Sequence, residues 1–194
     1  MLNTRTGRWP IALGIFIVAT IAGASGPAAA SHCPYTETRL NDNDNYFSAG
    51  SDQYNVVYTY GGSDSVEAWD CQDSVFGGTG HDRLMGEGHK DILYGEDGSE
   101  KANQCPTGLY CGAIIGGSGN DEMHGGPMED ELRNTYDETA YFFDTDKAWG
   151  GDGNDVIYLK DGDQYDSAYG NGGNDSCRLD WYSEDPNVTC EQYF

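Results

Sequence analysis

From Gly77 to Met85 the chain reads GGTGHDRLM, from Gly116 to His124 GGSGNDEMH, and from Gly150 to Tyr158 GGDGNDVIY. The same nine-residue frame runs outward from these stretches. Uninterrupted units begin at Gly50, Thr59, Ala68, Gly77, Gly86 and Gly95, then at Thr107, Gly116 and Gly125, then at Tyr141 and Gly150, and last at Asp161 and Gly170. Three insertions, 104–106, 134–140 and 159–160, are placed between units and none inside one. Of the thirteen units, eleven carry an acid at the sixth place and all thirteen an apolar residue at the eighth. A fixed period of this length marks a repeat protein whose units bury a shared core by stacking.

Each unit divides in two. Its glycine-rich first half reads as a turn, because glycine alone enters left-handed backbone conformations without steric cost. Its second half alternates acid, polar, apolar, polar, which is the period of a short strand with the eighth residue inward. Two units then make one flattened turn of about eighteen residues, and the expected architecture is an all-β parallel β-roll of about thirteen units. The inward row is Val57, Val66, Val75, Leu84, Leu93, Ala102, Ile114, Met123, Leu132, Ala148, Ile157, Ala168 and Cys177.

The sixth places hold Asn55, Asp64, Asp73, Asp82, Asp91, Glu100, Gly112, Asp121, Asp130, Asp146, Asp155, Asp166 and Asp175. Acids eighteen residues apart should stack on one edge, Asp64 under Asp82 and Asp73 under Asp91. Bare charges ~5 Å apart repel by about 3 kcal/mol at an effective dielectric near 20. A divalent hard cation between layers turns that repulsion into coordination. Oxygen-only ligands in a glycine turn suit calcium, which accepts six to eight oxygens, better than magnesium, which demands a tight octahedron.

The rest of the chain frames this coil. An apolar run from Ile11 to about Ala24 follows Arg5 and Arg8 and precedes Ala28-Ala29-Ala30. That is the order of a cleaved secretory signal peptide, assigned to residues 1–30, and no membrane insertion is expected after cleavage. The chain has 33 acidic and 10 basic residues, a net charge of −23. Such a surface repels nucleic acid and anionic membranes and collects cations. Six cysteines lie beyond the cut, and an even count in an exported chain suggests disulfides. Proximity suggests Cys33–Cys71, Cys105–Cys111 and Cys177–Cys190. Residues 31–49 read as an N-terminal cap, 50–178 as the roll and 179–194 as a C-terminal cap.

The three strict units resemble the glycine–aspartate nonapeptide of the RTX, or haemolysin-type, calcium-binding repeats, and the resemblance runs from Gly50 to Arg178. It implies a β-roll with several calcium ions between turns on each edge. The metal ligands it implies are Asp64, Asp73, Asp82, Asp91, Glu100, Asp121, Asp130, Asp146, Asp155, Asp166 and Asp175. Turn backbone at Gly78, Gly80, Gly117, Gly119, Gly151 and Gly153 completes the set. The units at Gly50 and Thr107, with Asn55 and Gly112 in the acid place, depart from the pattern. So does Tyr141-Phe142-Phe143-Asp144, which replaces the glycine turn before Asp146.

No enzymatic role is expected. Neither HExxH nor GxSxG occurs, and His32, His81, His89 and His124 read as surface residues. The expected function is secreted, extracellular calcium binding coupled to folding. The alternative is a calcium-dependent adhesion module whose outward aromatics meet an extracellular protein or glycan. Tyr58, Phe76 and Tyr94 form one column at eighteen-residue spacing, with Trp149, Tyr158 and Tyr169 elsewhere.

Overall fold

A computed structural model describes residues 33–50, 52–100, 113–134, 145–160, 165–180, 189–190 and 192–193. The expected signal peptide, the expected Cys105–Cys111 pair, Ala102, Gly112 and the aromatic stretch 141–144 fall outside the described residues. In chain order the strands are β1 (Tyr35–Arg39), β2 (Tyr46–Ser48), β3 (Tyr54–Tyr58), β4 (Ser65–Glu67), β5 (Ser74–Gly80), β6 (Arg83–Gly88), β7 (Ile92–Gly98) and β8 (Ala113–Ser118). They continue as β9 (Glu122–Gly126), β10 (Glu131–Arg133), β11 (Lys147–Asp152), β12 (Val156–Tyr158), β13 (Ser167–Gly172), β14 (Ser176–Arg178) and β15 (Gln192–Tyr193). Odd-numbered strands from β1 to β13 form one parallel sheet; even-numbered strands from β2 to β14, with β15 beyond β14, form the other.

The chain therefore climbs by alternating between two facing sheets. Leu93 lies in register with Val75 below and Met123 above, and Leu84 with Val66 below and Ile114 above. All the described eighth-place residues have no solvent exposure, which leaves a core two side chains wide. The coil begins earlier than Gly50. β1 pairs with β3 and β2 with β4, and Phe47 packs on the core, so the segment read as an N-terminal cap supplies the first layers. Disulfides Cys33–Cys71 and Cys177–Cys190 tie the two ends, as proximity suggested.

The frame needs one correction. Ile114 stacks directly on Leu84, and Glu100 stands between Asp82 and Asp130, so the units at Gly95 and Thr107 share a single layer. The lengthening lies inside a unit, between its acid and its strand. The other two insertions are also internal. The N–H groups of Asn134 and Leu159 donate to the Tyr158 and Arg178 carbonyls as Ala68 N–H donates to Met85, so both residues hold the first place of a unit. A linear frame treats added residues as spacers; the ladder of hydrogen bonds shows which backbone they leave in register.

Outward from the β1–β13 sheet, one continuous column of rings runs Tyr58, Phe76, Tyr94, His124, Trp149 and Tyr169, with centroids 4.5–5.5 Å apart and planes within 15° of parallel. Trp149 and Tyr169 thus belong to the same column as Tyr58, whereas Tyr158 lies on the opposite sheet under the Arg178 guanidinium. His124 completes the column because burial between rings holds it neutral, its pKa lowered by desolvation. Face-to-face packing spends the ring faces on one another and turns their edges to solvent.

With a core this thin, each inward side chain matters. Leu93→Ala is expected to destabilise the fold by about 2–5 kcal/mol in chemical denaturation, whereas alanine at exposed Tyr46 (50% accessible) changes it little.

Candidate metal centre

Every acid named from the sequence as a ligand lies in one of two buried ladders. One holds Asp64, Asp82, Glu100, Asp130, Asp155 and Asp175; the other holds Asp73, Asp91, Asp121, Asp146 and Asp166. Within each ladder the backbone N–H of one acid donates to a carboxylate oxygen of the acid one layer on. Asp64 N–H meets Asp82 Oδ1 at 2.8 Å, Asp73 N–H meets Asp91 at 2.7 Å, and Asp91 N–H meets Asp121 at 2.8 Å. Glu100, one methylene longer, receives the Asp82 N–H at 3.4 Å. Ten of these eleven acids are 0–1% exposed, Asp146 among them at 0%; Asp166 is the most open at 5%. A solvated acidic face is thereby excluded.

The second oxygen of each carboxylate has a different surrounding. Asp64 Oδ2, Asp73 Oδ2, Asp82 Oδ2, Asp91 Oδ2 and Glu100 Oε2 are buried without a hydrogen-bond donor. An unmatched buried carboxylate oxygen is among the costliest features a fold can carry. At Asp82, Asp91 and Glu100 it faces the glycine that opens its own turn. A side chain on Gly86 would begin 2.4 Å from Asp91 Oδ2 and 2.6 Å from the Gly116 carbonyl; on Gly77, 2.7 Å from Asp82 Oδ2 and 2.9 Å from the Gly95 carbonyl. Glycine at that place keeps two oxygens of adjacent layers converging on one spot. Asp64 has Thr59 there, whose hydroxyl donates to the Gly77 carbonyl.

The glycines named as turn ligands have left-handed or strained backbone: φ is 91° at Gly78, 136° at Gly80, 118° at Gly117, 130° at Gly119, 118° at Gly151 and 154° at Gly153. A Cβ on Gly80 would lie 1.6 Å from the Gly62 carbonyl oxygen, so turn carbonyls point along the stack into the next layer. Among the described residues, no three His, Cys, Asp or Glu side chains gather at one point. A cation between layers would therefore draw on carboxylate oxygens supplemented by turn carbonyls, an oxygen set that fits calcium. Sequence reasoning named the acids of both ladders and missed Asn134, whose side chain enters the same ladder; its place at the head of a unit is visible only once the insertion is located.

Electrostatics follow from burial. Desolvation raises the carboxyl pKa of Asp64 and Asp73 to about 6, of Asp82 to about 7 and of Asp91 to about 9, neighbouring acids adding to the last two. Glu100 is raised too, first by burial and then by Asp130 above it. Against 3.8 for an ordinary aspartate, the cation-free fold binds protons that the unfolded chain has already released. That contribution to stability is fully present below pH 3.8 and is lost as pH rises through about 6, 7 and 9.

Compared with protein families, residues 72–99, 113–127 and 144–163 match the RTX calcium-binding nonapeptide repeat, in four copies. The match breaks where the structure places the first two insertions. No curated protein and no solved structure is similar to the chain at a significant level.

In chelator, the melting temperature is expected to fall from about pH 5 to about pH 8, and saturating calcium should abolish or reverse that fall. Thermal scans across pH with and without the ion measure it; a cation-free protein that gains stability towards alkaline pH contradicts the ladder's protonation.

Proposed function

We propose, from a chain that carries RTX calcium-binding nonapeptide repeats, that it is an exported protein whose roll folds around several calcium ions held between its turns. One observation carries this reading: consecutive carboxylates, buried together, each present an oxygen with no donor to a spot kept open by glycine. When bound, the ion supplies positive charge to those oxygens. Asp82, Asp91 and Glu100 contribute carboxylates, and turn backbone such as Gly78, Gly80, Gly117, Gly119, Gly151 and Gly153 contributes carbonyls. The ladder hydrogen bonds fix each carboxylate, which orients its second oxygen. Two disulfides support an oxidising, extracellular setting. The role is binding coupled to folding, without catalysis.

A second reading, a calcium-dependent face for an extracellular protein or glycan, draws support from a groove of about 490 Å³ beside the ring column, lined by Tyr58, Tyr60, Phe76, Thr79, Glu96 and Asp97. In that reading the ring edges and carboxylates, rather than ring faces, meet the ligand.

Purified mature protein in chelator at about pH 8, where the ladder has lost its protons, is expected to lose its β signal in circular dichroism and regain it with calcium at about millimolar levels, not with magnesium. Unchanged spectra would falsify the calcium reading. Asp82→Asn should remove one bound ion by native mass spectrometry. For the groove, glycan-array binding that needs calcium and is lost in Glu96→Gln supports the second reading; binding indifferent to calcium overturns it.

A further inference from the structure

At Asp146 a side-chain amide enters the ladder. Asn134 holds the first place of this unit, where Gly86 and Gly116 stand in the two layers below. Its side chain is 6% exposed at the residue level and turns inward. The Asn134 Nδ2 donates to Asp146 Oδ2, the oxygen that at Asp91 and Asp82 has no donor. Its Oδ1 accepts the Gly117 N–H at 2.9 Å and lies 3.2 Å from where a side chain on Gly116 would start. One layer below, the Gly116 carbonyl occupies the matching place beside Gly86. The carboxamide therefore reproduces a peptide group inside the ladder, with its oxygen facing down and its nitrogen facing up.

Resting on the calcium reading above, we propose that Asn134 replaces a calcium ion at the Asp146 layer and lends its Oδ1 to the Asp121 layer beneath. An amide donor satisfies the Asp146 oxygen without a charge, and the N–H group occupies the space a cation needs. Hydrogen bonds from neutral donors to carboxylates are strong in low dielectric, so the closure needs no ion to persist. Ion loading along this edge is thus interrupted: Asp91 and Asp121 lie on one side of the amide and Asp166 on the other.

Native mass spectrometry of the full mature chain in saturating calcium tests this. Asn134→Asp exchanges the donor for a carboxylate, so one additional ion per molecule is expected, along with a steeper dependence of melting temperature on calcium. An unchanged ion count overturns the proposal. Wild-type crystals soaked in terbium provide a second measurement that needs no variant: anomalous density is expected beside Asp91 and Asp121 and not at Asp146. Density at Asp146 overturns the inference even if the variant does not fold. A wild-type chain that loads neither calcium nor terbium anywhere refutes the calcium reading itself, and this inference with it.

Discussion

The hydrogen bond from each acid's own backbone N–H to the carboxylate one layer on is what the remaining architecture depends on. It is a bond between a strand entrance and a side chain, repeated at every layer, and it commits the carboxylates to the interior. Half of each carboxylate is satisfied by that bond. At Asp82, Asp91 and Glu100 the other half is left facing glycine and carbonyl oxygen, an arrangement with no protein answer there. Two apolar side chains per turn do little against the entropy of ordering so many glycines. The fold thus concentrates its unmet demand at sites a hard cation can fill, and under the function proposed above assembly and ion binding are a single event.

Much of this is legible in the sequence, for a physical reason. A strand alternates with period two and a turn of this kind requires glycine, so a nine-residue period fixes which residue is inward and which is at the edge. Val57, Leu84 and Cys177 lie where the period puts them, and all eleven acids lie in the ladders. What the period cannot show is where added residues enter. The Thr107 unit departs from the pattern because its sixth residue is glycine; Glu100, thirteen residues before the strand at Ala113, serves that strand instead. Spacing measures distance along the chain, whereas register is set by hydrogen bonds between layers.

The same limit hid the ring column and Asn134. With insertions of unequal length, Trp149 and Tyr169 no longer fall at multiples of eighteen from Tyr58, and a histidine at an outward place gives no sign that it will stack between Tyr94 and Trp149. An asparagine before a lengthened loop reads as a loop residue. Only its backbone bond to Tyr158 returns it to the ladder, and only its surroundings turn a side-chain amide into a peptide surrogate.

A stack whose layers touch only their neighbours ordinarily melts by peeling, one rung at a time from whichever tip is weaker. Here each tip is clasped: Cys33 to Cys71 at the start and Cys177 to Cys190 at the finish. Peeling from either tip is checked at these covalent clasps, so loss of structure is pushed towards the interior rungs. Chain length thereby ceases to set cooperativity. Under thiol reductants the order should invert, with outer rungs fraying first while the middle stays wound.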